Sequence, residues 1–199
     1  RVRGAPARAT DLAELAAFVE RSGGLLPPDL ADGLVADATF SLPGPVFPSG
    51  AYAAEVEIDP ETGVVDVRRI VAVDDAGRLV NPLLAHGQVQ GAAVQGLGES
   101  LLEEVVHDEA GQPLATSFLQ YAMPSAMEVP PIDVQAIETP SPFNPLGAKG
   151  IGEGGAIGTP AAIANAVCRA LAPLGIRHLD LPFTPERVLA AIRRANPSD

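Results

Sequence analysis

The stretch from Pro142 to Gly158 has the composition of a segment that contacts a ligand. Five glycines fall within residues 150–158, and Lys149 and Glu153 are the only charged residues of the stretch. Glycine has no Cβ, so its backbone can approach a ligand closely, and successive N–H groups ahead of a helix can receive an anion. A surface turn is the alternative, but loops of this length in compact domains are usually functional or disordered. The stretch therefore predicts a binding loop that carries one ionisable acid, Glu153.

The same glycines satisfy a dinucleotide-binding pattern, G-x-G-x-x-G, at Gly150, Gly152 and Gly155. That fingerprint has to follow a strand directly and lie within a βαβ unit. Here the preceding residues are rich in proline, and Thr159–Pro160 predicts a new helix start after the glycines. A phosphate-binding P-loop also lacks its Gly-Lys-Ser/Thr sequence. A nucleotide-binding domain that uses this loop stays open only as a weaker alternative.

A second candidate feature is the helix predicted from Asn81, as N-cap, with Pro82 at its first position, to about Glu104. At about 100° per residue, two amide side chains share a face with glycines. Amides offer donors and an acceptor that suit the edge of a pterin or a nucleobase. On pattern alone, a close helix–helix contact with the glutamines at its rim is favoured. The residues of this face are Leu84, Gln88, Gly91, Gln95 and Gly98.

The elements that position these features are predicted from periodicity and turn chemistry. Two runs of period two, joined by Asp59-Pro60-Glu61-Thr62-Gly63, predict a β-hairpin. The mixture of strands and helices without strict alternation predicts an α+β fold, with β-hairpins and a mixed sheet packed by helices. The predicted strands are Ala51–Ile58, Val64–Val73 and Ile132–Glu138, with extended pieces at 105–108 and 115–121 around a turn at 109–112. The other predicted helices are Asp11–Arg21, capped by Thr10 and stopped by Gly23–Gly24, Thr159–Leu171 and Thr184–Arg194.

Two regions are predicted, of which residues 1–46 form an N-terminal arm, a helix and a Pro/Gly-rich crossing segment. Residues 47–199 form the C-terminal domain that contains both candidate features. The chain starts at Arg1 without an initiator methionine or a signal-peptide pattern, so we expect a piece of something longer or a processed subunit.

Composition excludes several classes of function. The chain has 25 acidic and 13 basic residues, and its net charge of −12 disfavours nucleic acid and anionic membranes as partners. The single cysteine, Cys168, excludes an internal disulfide and a cysteine-ligated iron–sulfur cluster within the chain. The three histidines lack metal-ligand spacing, so no metal-ligating side chains are predicted. No apolar run is expected to span a membrane, and a cytoplasmic location is predicted, or a periplasmic one if an upstream signal was lost.

Read in order, these stretches resemble a known family, the molybdopterin-binding large subunits of xanthine dehydrogenase, aldehyde oxidase and aerobic carbon monoxide dehydrogenase. The resemblance covers roughly residues 47–195. Its most specific part is Lys149-Gly150-Ile151-Gly152-Glu153. The other matching stretches are Asp59–Gly63, Asn81–Pro82, Gly87–Gly91, Gln95–Gly98, Tyr121–Ser125 and Ser141–Gly147.

The resemblance implies part of the large catalytic subunit of a molybdenum hydroxylase, which oxidises an aldehyde, an N-heterocycle or carbon monoxide with water-derived oxygen. Glu153 matches the family's general base, which takes a proton from a hydroxyl on molybdenum. Gln88 matches a glutamine that contacts the molybdopterin. The residues that match the loop around the cofactor are Lys149, Gly150, Ile151 and Gly152. The cofactor's dithiolene holds the metal, so the resemblance implies no protein ligand to it.

The resemblance also implies partners that carry the remaining chemistry. These are the remainder of the large subunit, an iron–sulfur small subunit and an FAD-containing medium subunit in a hetero-oligomer, together with a small-molecule substrate. The cofactor could be the simple molybdopterin or its cytosine dinucleotide form. Gln90 and Ala92 depart from the residues that relatives often carry, and the family's substrate loop is expected upstream of Arg1. A non-catalytic assembly or interface fragment of the same family is the alternative function.

Overall fold

The computed structural model describes residues 5, 7, 9–22, 25–28 and 37–196, and the chain divides into two compact units, Arg1–Ser41 and Leu42–Asp199. This division falls a few residues before the predicted boundary at 46/47. The functional assignment of the two predicted regions stays a prediction.

Among the described residues of the first unit, helix α1 spans Leu12–Ser22. The carboxylate of Asp11 accepts the N–H of Glu14 at 2.7 Å, whereas the hydroxyl of Thr10 donates to the side chain of Glu14 at 2.6 Å. Asp11 therefore caps the helix, and the prediction of Thr10 as the cap was wrong by one residue. The predicted stop at Gly23–Gly24 and most of the predicted arm lie outside the described residues.

The second unit is built on a three-stranded sheet in the order β1-β2-β3, with strands Ser49–Ile58, Val65–Asp75 and Ile132–Ile137. Strands β1 and β2 are antiparallel, and β2 and β3 are parallel. The predicted hairpin, the third strand and the mixed sheet of an α+β fold are confirmed.

The hairpin turn forms for the reasons that its sequence indicates. The N–H of Gly63 donates to the carbonyl of Asp59 at 2.8 Å, and Gly63 has φ +77°, which costs glycine little. The side chain of Asp59 accepts the N–H of Glu61 at 2.9 Å and the hydroxyl of Thr62 at 2.7 Å. These local hydrogen bonds fix the register in which β1 faces β2.

In the described part of the second unit, the sheet is accompanied by α2 at Pro82–Leu101, α3 at Gly154–Leu171 and α4 at Pro185–Ala195. A single 3-10 turn, Ala172–Leu174, follows α3. The side chain of Asn81 accepts the N–H of Leu84 at 3.2 Å at the start of α2, and Thr184 accepts from Arg187 at 3.4 Å at the start of α4. Both predicted caps are confirmed, and α2 ends three residues before its predicted end.

Helix α3 begins at Gly154, five residues earlier than predicted, and Pro160 lies inside it. A proline in a helix interior removes a hydrogen bond and crowds the preceding turn. Close packing offsets that cost, because the chain around Gly155 lies directly against α2. A Cβ on Gly155 would come within 2.7 Å of the Cβ of Ala92, and one on Gly96 would come within 2.8 Å of the Pro160 ring. The absence of those Cβ atoms lets the two helices approach at this point.

The extended pieces predicted around residues 109–112 do not become strands. The turn itself forms, because the N–H of Gly111 donates to the carbonyl of Asp108 at 2.9 Å, but only one isolated bridge, His107 to Pro113, flanks it. Apolar side chains here are exposed, including Phe118 at 83% and Leu119 at 98%. With no apolar surface of the described chain to pack on, a two-stranded ribbon has too little to stabilise it.

The hydrophobic core lies between the sheet and helices α2, α3 and α4. Its fully buried members come from every one of these layers, so the core fixes the helices on one face of the sheet. The buried residues of this cluster are Val65, Val67, Ile70, Leu97, Ile163, Val167, Leu171, Phe183, Val188 and Ile192.

Within the described residues, one helical stretch, Gly154–Leu174, is long and apolar enough to cross a membrane by length and composition alone. The expectation that no run reaches this length was therefore too strong. Ile163 and Val167, at its centre, are completely buried in the core, and the helix packs against α2 and β1. One face of this helix therefore packs in the core.

Candidate functional site

A hydrogen bond between distant segments joins the two features singled out in the sequence. Gln88 lies in the second turn of α2, and its Nε2 donates to the carbonyl oxygen of Gly152 at 2.9 Å. The glycine-rich loop is thereby fixed to the exposed side of α2.

A cleft of about 490 Å³ lies beside this hydrogen bond, between α2, the end of β2 and the loop. Four of the five predicted cofactor-binding residues line it: Gln88, Lys149, Ile151 and Gly152. Gly150 is next to them in sequence but is not part of the lining. The other lining residues are Ala76, Arg78, Leu79, Val80, Asn81, Leu84, Ala85 and Ala148.

The loop presents unsatisfied donors next to the cleft. Within the described part of the chain, the N–H groups of Gly150, Ile151 and Gly152 have no hydrogen-bond acceptor. Helix α3 starts two residues after Gly152, so its positive end lies at the same place. Adjacent free N–H groups at a helix start suit the oxygen atoms of an anionic or carbonyl-bearing ligand.

Lys149 is held by the protein itself. Its ammonium is 2.8 Å from Oδ2 of Asp75, and its backbone N–H donates to the carbonyl of Ala76 at 2.8 Å. Both charged side chains are largely buried, with exposures of 15% and 13%. Lys149 therefore fastens the loop to the end of β2, and a further contact between its ammonium and a cofactor stays a prediction.

Asp75 collects donors from three segments. Its Oδ1 accepts the N–H of Gly77 at 2.9 Å and of Thr139 at 3.0 Å, in addition to the Lys149 contact at Oδ2. The Lys149 ammonium first, and then these N–H groups, hold the pKa of Asp75 well below its usual range. The ionised carboxylate is thus the form that the folded state stabilises.

We expect Asp75→Asn to lower the free energy of unfolding at pH 7 by about 3 kcal/mol, because the buried ammonium of Lys149 loses its counter-ion. A lowered folded-state pKa stabilises the protein above the unfolded-state value of about 3.9, and this stability is lost as pH falls through the folded-state value. The wild type should therefore lose stability progressively below about pH 4, and the variant should lose less over the same range. Urea unfolding at several pH values measures both effects.

Asp133→Asn is the matched control, because Asp133 pairs with Arg69 where the two side chains are 47% and 57% exposed. An exposed pair contributes at most about 1 kcal/mol. Equal losses in the two variants would contradict the structural role assigned to the Asp75–Lys149 pair.

Glu153 occupies the N-cap position of α3 and is exposed. Its side chain makes no hydrogen bond or ion pair within the described residues. It lines a second cavity of about 350 Å³, together with residues of β1, β2 and α3. Glu153 follows Gly152 in the chain, and Gln88 is bonded to the Gly152 carbonyl. Glu153 and Gln88 nevertheless border different cavities.

Sequence reasoning missed one polar pair in Glu153's cavity. The hydroxyl of Tyr52 donates to Oδ2 of Asp74 at 2.6 Å, and Asp74 is only 4% exposed. Burial first, and then the hydrogen bond to Asp74 and its charge, raise the pKa of Tyr52 well above its usual value, so Tyr52 stays a donor. The hairpin register could have revealed the pair: Asp74 faces Gly50, which makes Tyr52 its diagonal neighbour on the same side of the sheet.

The predicted glycine stripe of α2 is not the surface that packs on α3. A Cβ on Gly91 would meet nothing within 4 Å, and Gln88 and Gln95 are exposed. The close contact is made by Gly96, which lies about a third of a turn from the centre of this stripe. The interpretation of this face as a helix–helix contact was therefore wrong, and its exposed part, with Gln88, borders the cleft.

The other residues considered as candidates for a metal site, a reactive thiol or a nucleotide site do not form such a site in the described part of the structure. The described residues contain no group of three or more His, Cys, Asp or Glu side chains that could hold a metal ion. Cys168 is half-buried in α3. The G-x-G-x-x-G pattern does not follow a strand, because β3 ends at Ile137 and an irregular segment separates it from Gly150. This geometry disfavours the nucleotide-binding alternative.

The family of the chain follows from comparison with known proteins. Residues 3–130, more than half of the chain, match the family described as the molybdopterin cofactor-binding domain. The chain belongs to this family, in the class of molybdenum hydroxylase large subunits. The matched residues end at position 130 and so do not include the loop Lys149–Glu153.

Particular relatives support the same class. The chain is 39% identical over 192 residues to the nicotine 6-hydroxylase large subunit of Paenarthrobacter nicotinovorans, covering 96% of this chain and 24% of that one. It is 37% identical over 188 residues to the carbon monoxide dehydrogenase large chain of Afipia carboxidovorans, covering 94% and 23%. The chain thus spans about a quarter of the length of these relatives.

Solved structures have the same fold. The Cu,Mo-CO dehydrogenase in its carbon monoxide reduced state superposes with a TM-score of 0.85 at 34% identity, covering 100% of this chain and 25% of that one. Quinoline 2-oxidoreductase from Pseudomonas putida 86 superposes with a TM-score of 0.81 at 39% identity, covering 97% and 25%.

Proposed function

We propose that this chain supplies part of the molybdenum cofactor site of an oxidoreductase, a molybdenum hydroxylase, with Glu153 as its general base. The observation that carries the proposal is the hydrogen bond from Gln88 to the Gly152 carbonyl. It joins the helix and the loop that the family resemblance selects independently, and one cleft lies beside both.

The residues at this cleft fit a molybdopterin. A pterin has ring nitrogens and a carbonyl that need donors and acceptors, and a phosphate that needs N–H groups or cations. The loop offers the free N–H groups of Gly150, Ile151 and Gly152, and Gln88 offers its amide oxygen while its nitrogen holds the loop. Lys149, paired with Asp75, anchors the base of the loop and leaves its N–H groups in place beside the cleft. The cofactor, when bound, supplies the molybdenum centre that takes two electrons from the substrate carbon.

Glu153 has the properties of a proton acceptor in this arrangement. Its carboxylate is exposed to its cavity and makes no hydrogen bond within the described chain, so an incoming O–H group finds both oxygens free. Its backbone is held on one side by the Gln88–Gly152 link and on the other by α3, whose first turn bonds Ile157 N–H to the Glu153 carbonyl at 3.0 Å. A base held through its backbone can accept a proton without rearrangement of the loop.

The substrate and the partners are further parts of the proposal. Relatives are named for nicotine hydroxylation, for a 6-hydroxypseudooxynicotine dehydrogenase complex and for carbon monoxide dehydrogenase. We propose that the complete enzyme oxidises an N-heterocycle, an aldehyde or carbon monoxide. Iron–sulfur and FAD-containing subunits would carry the electrons away in a cytoplasmic hetero-oligomer. The cytosine dinucleotide form of the cofactor is proposed alongside the simple form.

The test is cofactor retention in the complete enzyme. Gln88→Ala removes the amide from the cleft and releases the loop, so the affinity for the cofactor should fall about tenfold, as expected for the loss of about 1.4 kcal/mol of binding. The molybdenum-to-protein ratio after gel filtration should fall with it. Gln90→Ala is the matched control, because Gln90 is an exposed glutamine on the same helix that does not line the cleft. Full molybdenum in Gln88→Ala, or equal loss in the two variants, would contradict the proposed site.

A further inference from the structure

No neighbouring group among the described residues fixes the side chain of Glu153. Within the described residues it accepts no hydrogen bond and forms no ion pair. Its position therefore depends on what fixes the backbone on either side of it. The Gln88 amide holds the residue before it through the Gly152 carbonyl.

The residue after Glu153 lies against a different pair of side chains. A Cβ on Gly154 would lie 3.1 Å from Oδ1 of Asp74 and 3.4 Å from the hydroxyl of Tyr52. One turn later, the backbone of Gly158 lies directly against the Tyr52 ring, closer than any Cβ would allow. The Tyr52–Asp74 pair thus lies against the start of α3 at two positions on one face, Gly154 and, one turn later, Gly158.

The chemistry of the pair suits a fixed support. The 2.6 Å hydrogen bond joins neighbouring strands, so neither side chain can turn without breaking it. The Asp74 carboxylate also lies at the N-terminal end of α3, where a negative charge is favourable. No arginine or lysine is among the described residues that line this cavity, so the support depends on Tyr52 as the donor to Asp74.

We propose that Tyr52 and Asp74 are positioning residues for Glu153: their hydrogen-bonded pair fixes the first turn of α3, and with it the direction of the Glu153 carboxylate. This inference rests on the proposed role of Glu153 as the base. It adds to that role the residues of the β-hairpin through which the sheet determines where the base lies.

The test uses the complete enzyme with the Tyr52→Phe substitution, which removes one oxygen and keeps the ring against Gly158. We expect kcat to fall about tenfold while KM and the molybdenum-to-protein ratio stay unchanged, because a misdirected base slows proton transfer without affecting binding. Hydrogen–deuterium exchange of peptides covering 150–158 should become faster, because the first turn of α3 loses its support. The substrate used is the one that the wild-type enzyme turns over.

Tyr121→Phe is the matched control, because the Tyr121 hydroxyl also donates to a carboxylate, that of Glu103 at 2.8 Å, away from the loop. It should change neither kcat nor exchange in 150–158. A second pair of variants covers the case in which Tyr52→Phe does not fold: Asp74→Ala should reproduce the loss of kcat, and Asp74→Asn, which keeps an oxygen acceptor for Tyr52, should restore most of it.

Wild-type kcat and exchange in Tyr52→Phe would overturn the inference, and so would an equal loss of kcat in Tyr121→Phe. Its failure is distinguishable from failure of the proposed function. Normal turnover in Glu153→Gln overturns the role of Glu153 itself. An inactive Glu153→Gln enzyme beside a fully normal Tyr52→Phe enzyme overturns the positioning role alone.

Discussion

The Glu153→Gln substitution should lower kcat of the complete enzyme about a hundredfold to ten-thousandfold, the range that a general base contributes. Glutamine has nearly the same size but cannot accept the proton at working pH. Because the Glu153 side chain makes no hydrogen bond within the described chain, its replacement should leave the fold unchanged. The molybdenum-to-protein ratio should therefore equal that of the wild type. Steady-state kinetics and metal analysis of the same preparation measure both quantities.

Glu109→Gln makes the same chemical change at an exposed turn residue and should keep full activity. Turnover of Glu153→Gln within threefold of the wild type would remove Glu153 from the mechanism. Loss of molybdenum in parallel with kcat would instead assign Glu153 a part in cofactor binding, against the role argued above.

The Gly155→Ala substitution should destabilise the fold strongly. Its Cβ would lie 2.7 Å from the Cβ of Ala92, 2.7 Å from the backbone nitrogen of Ala93 and 2.8 Å from the carbonyl oxygen of Val89. Two of these atoms belong to the backbone of α2, so the helices have to separate to make room. Overpacking at such a point costs about 3 kcal/mol. The separation would also displace Glu153, two residues away.

The Gly91→Ala substitution, in the neighbouring helix α2, should have the opposite effect on stability. A Cβ there meets nothing within 4 Å, and alanine is the better residue in a helix interior, so stability should rise by about 0.5–1 kcal/mol. Urea unfolding of the two variants, followed by circular dichroism, gives the comparison. A Gly155→Ala protein as stable as the wild type would show that α3 does not pack on α2 in this way.

The sequence correctly predicted the turns and helix caps that are formed by hydrogen bonds between residues close together in the chain. The turn Asp59–Gly63, the Asn81 cap and the Thr184 cap are each satisfied within a few residues, and each is found where it was predicted. The predicted start of α3 was wrong because Thr159–Pro160 has the residue types typical of a helix start. The helix begins earlier because Gly155 packs on α2. This contact is between distant parts of the sequence, so a local pattern cannot predict it.

In the candidate site, too, some features could be predicted from the sequence and others depend on contacts between distant residues. The residue types and the family resemblance selected Gln88 and Glu153, and these predictions await the experiments above. The ion pair of Lys149 with Asp75 could not be predicted from residues 74 positions apart in the sequence. The Tyr52–Asp74 pair follows from the hairpin register, which the turn fixes, so the sequence of the two strands is sufficient to predict it.

The most direct test of the central claim is a crystal structure of the complete enzyme with its cofactor, measured at the molybdenum absorption edge. The proposed function predicts pterin density in the cleft bounded by Gln88, Lys149 and Ile151, with N–H groups of the loop donating to it. It also predicts an anomalous molybdenum peak with the Glu153 carboxylate within hydrogen-bonding reach of the metal's oxygen ligand, about 2.6–3.2 Å. A cofactor bound away from this cleft, or a Glu153 carboxylate turned away from the metal, would contradict it.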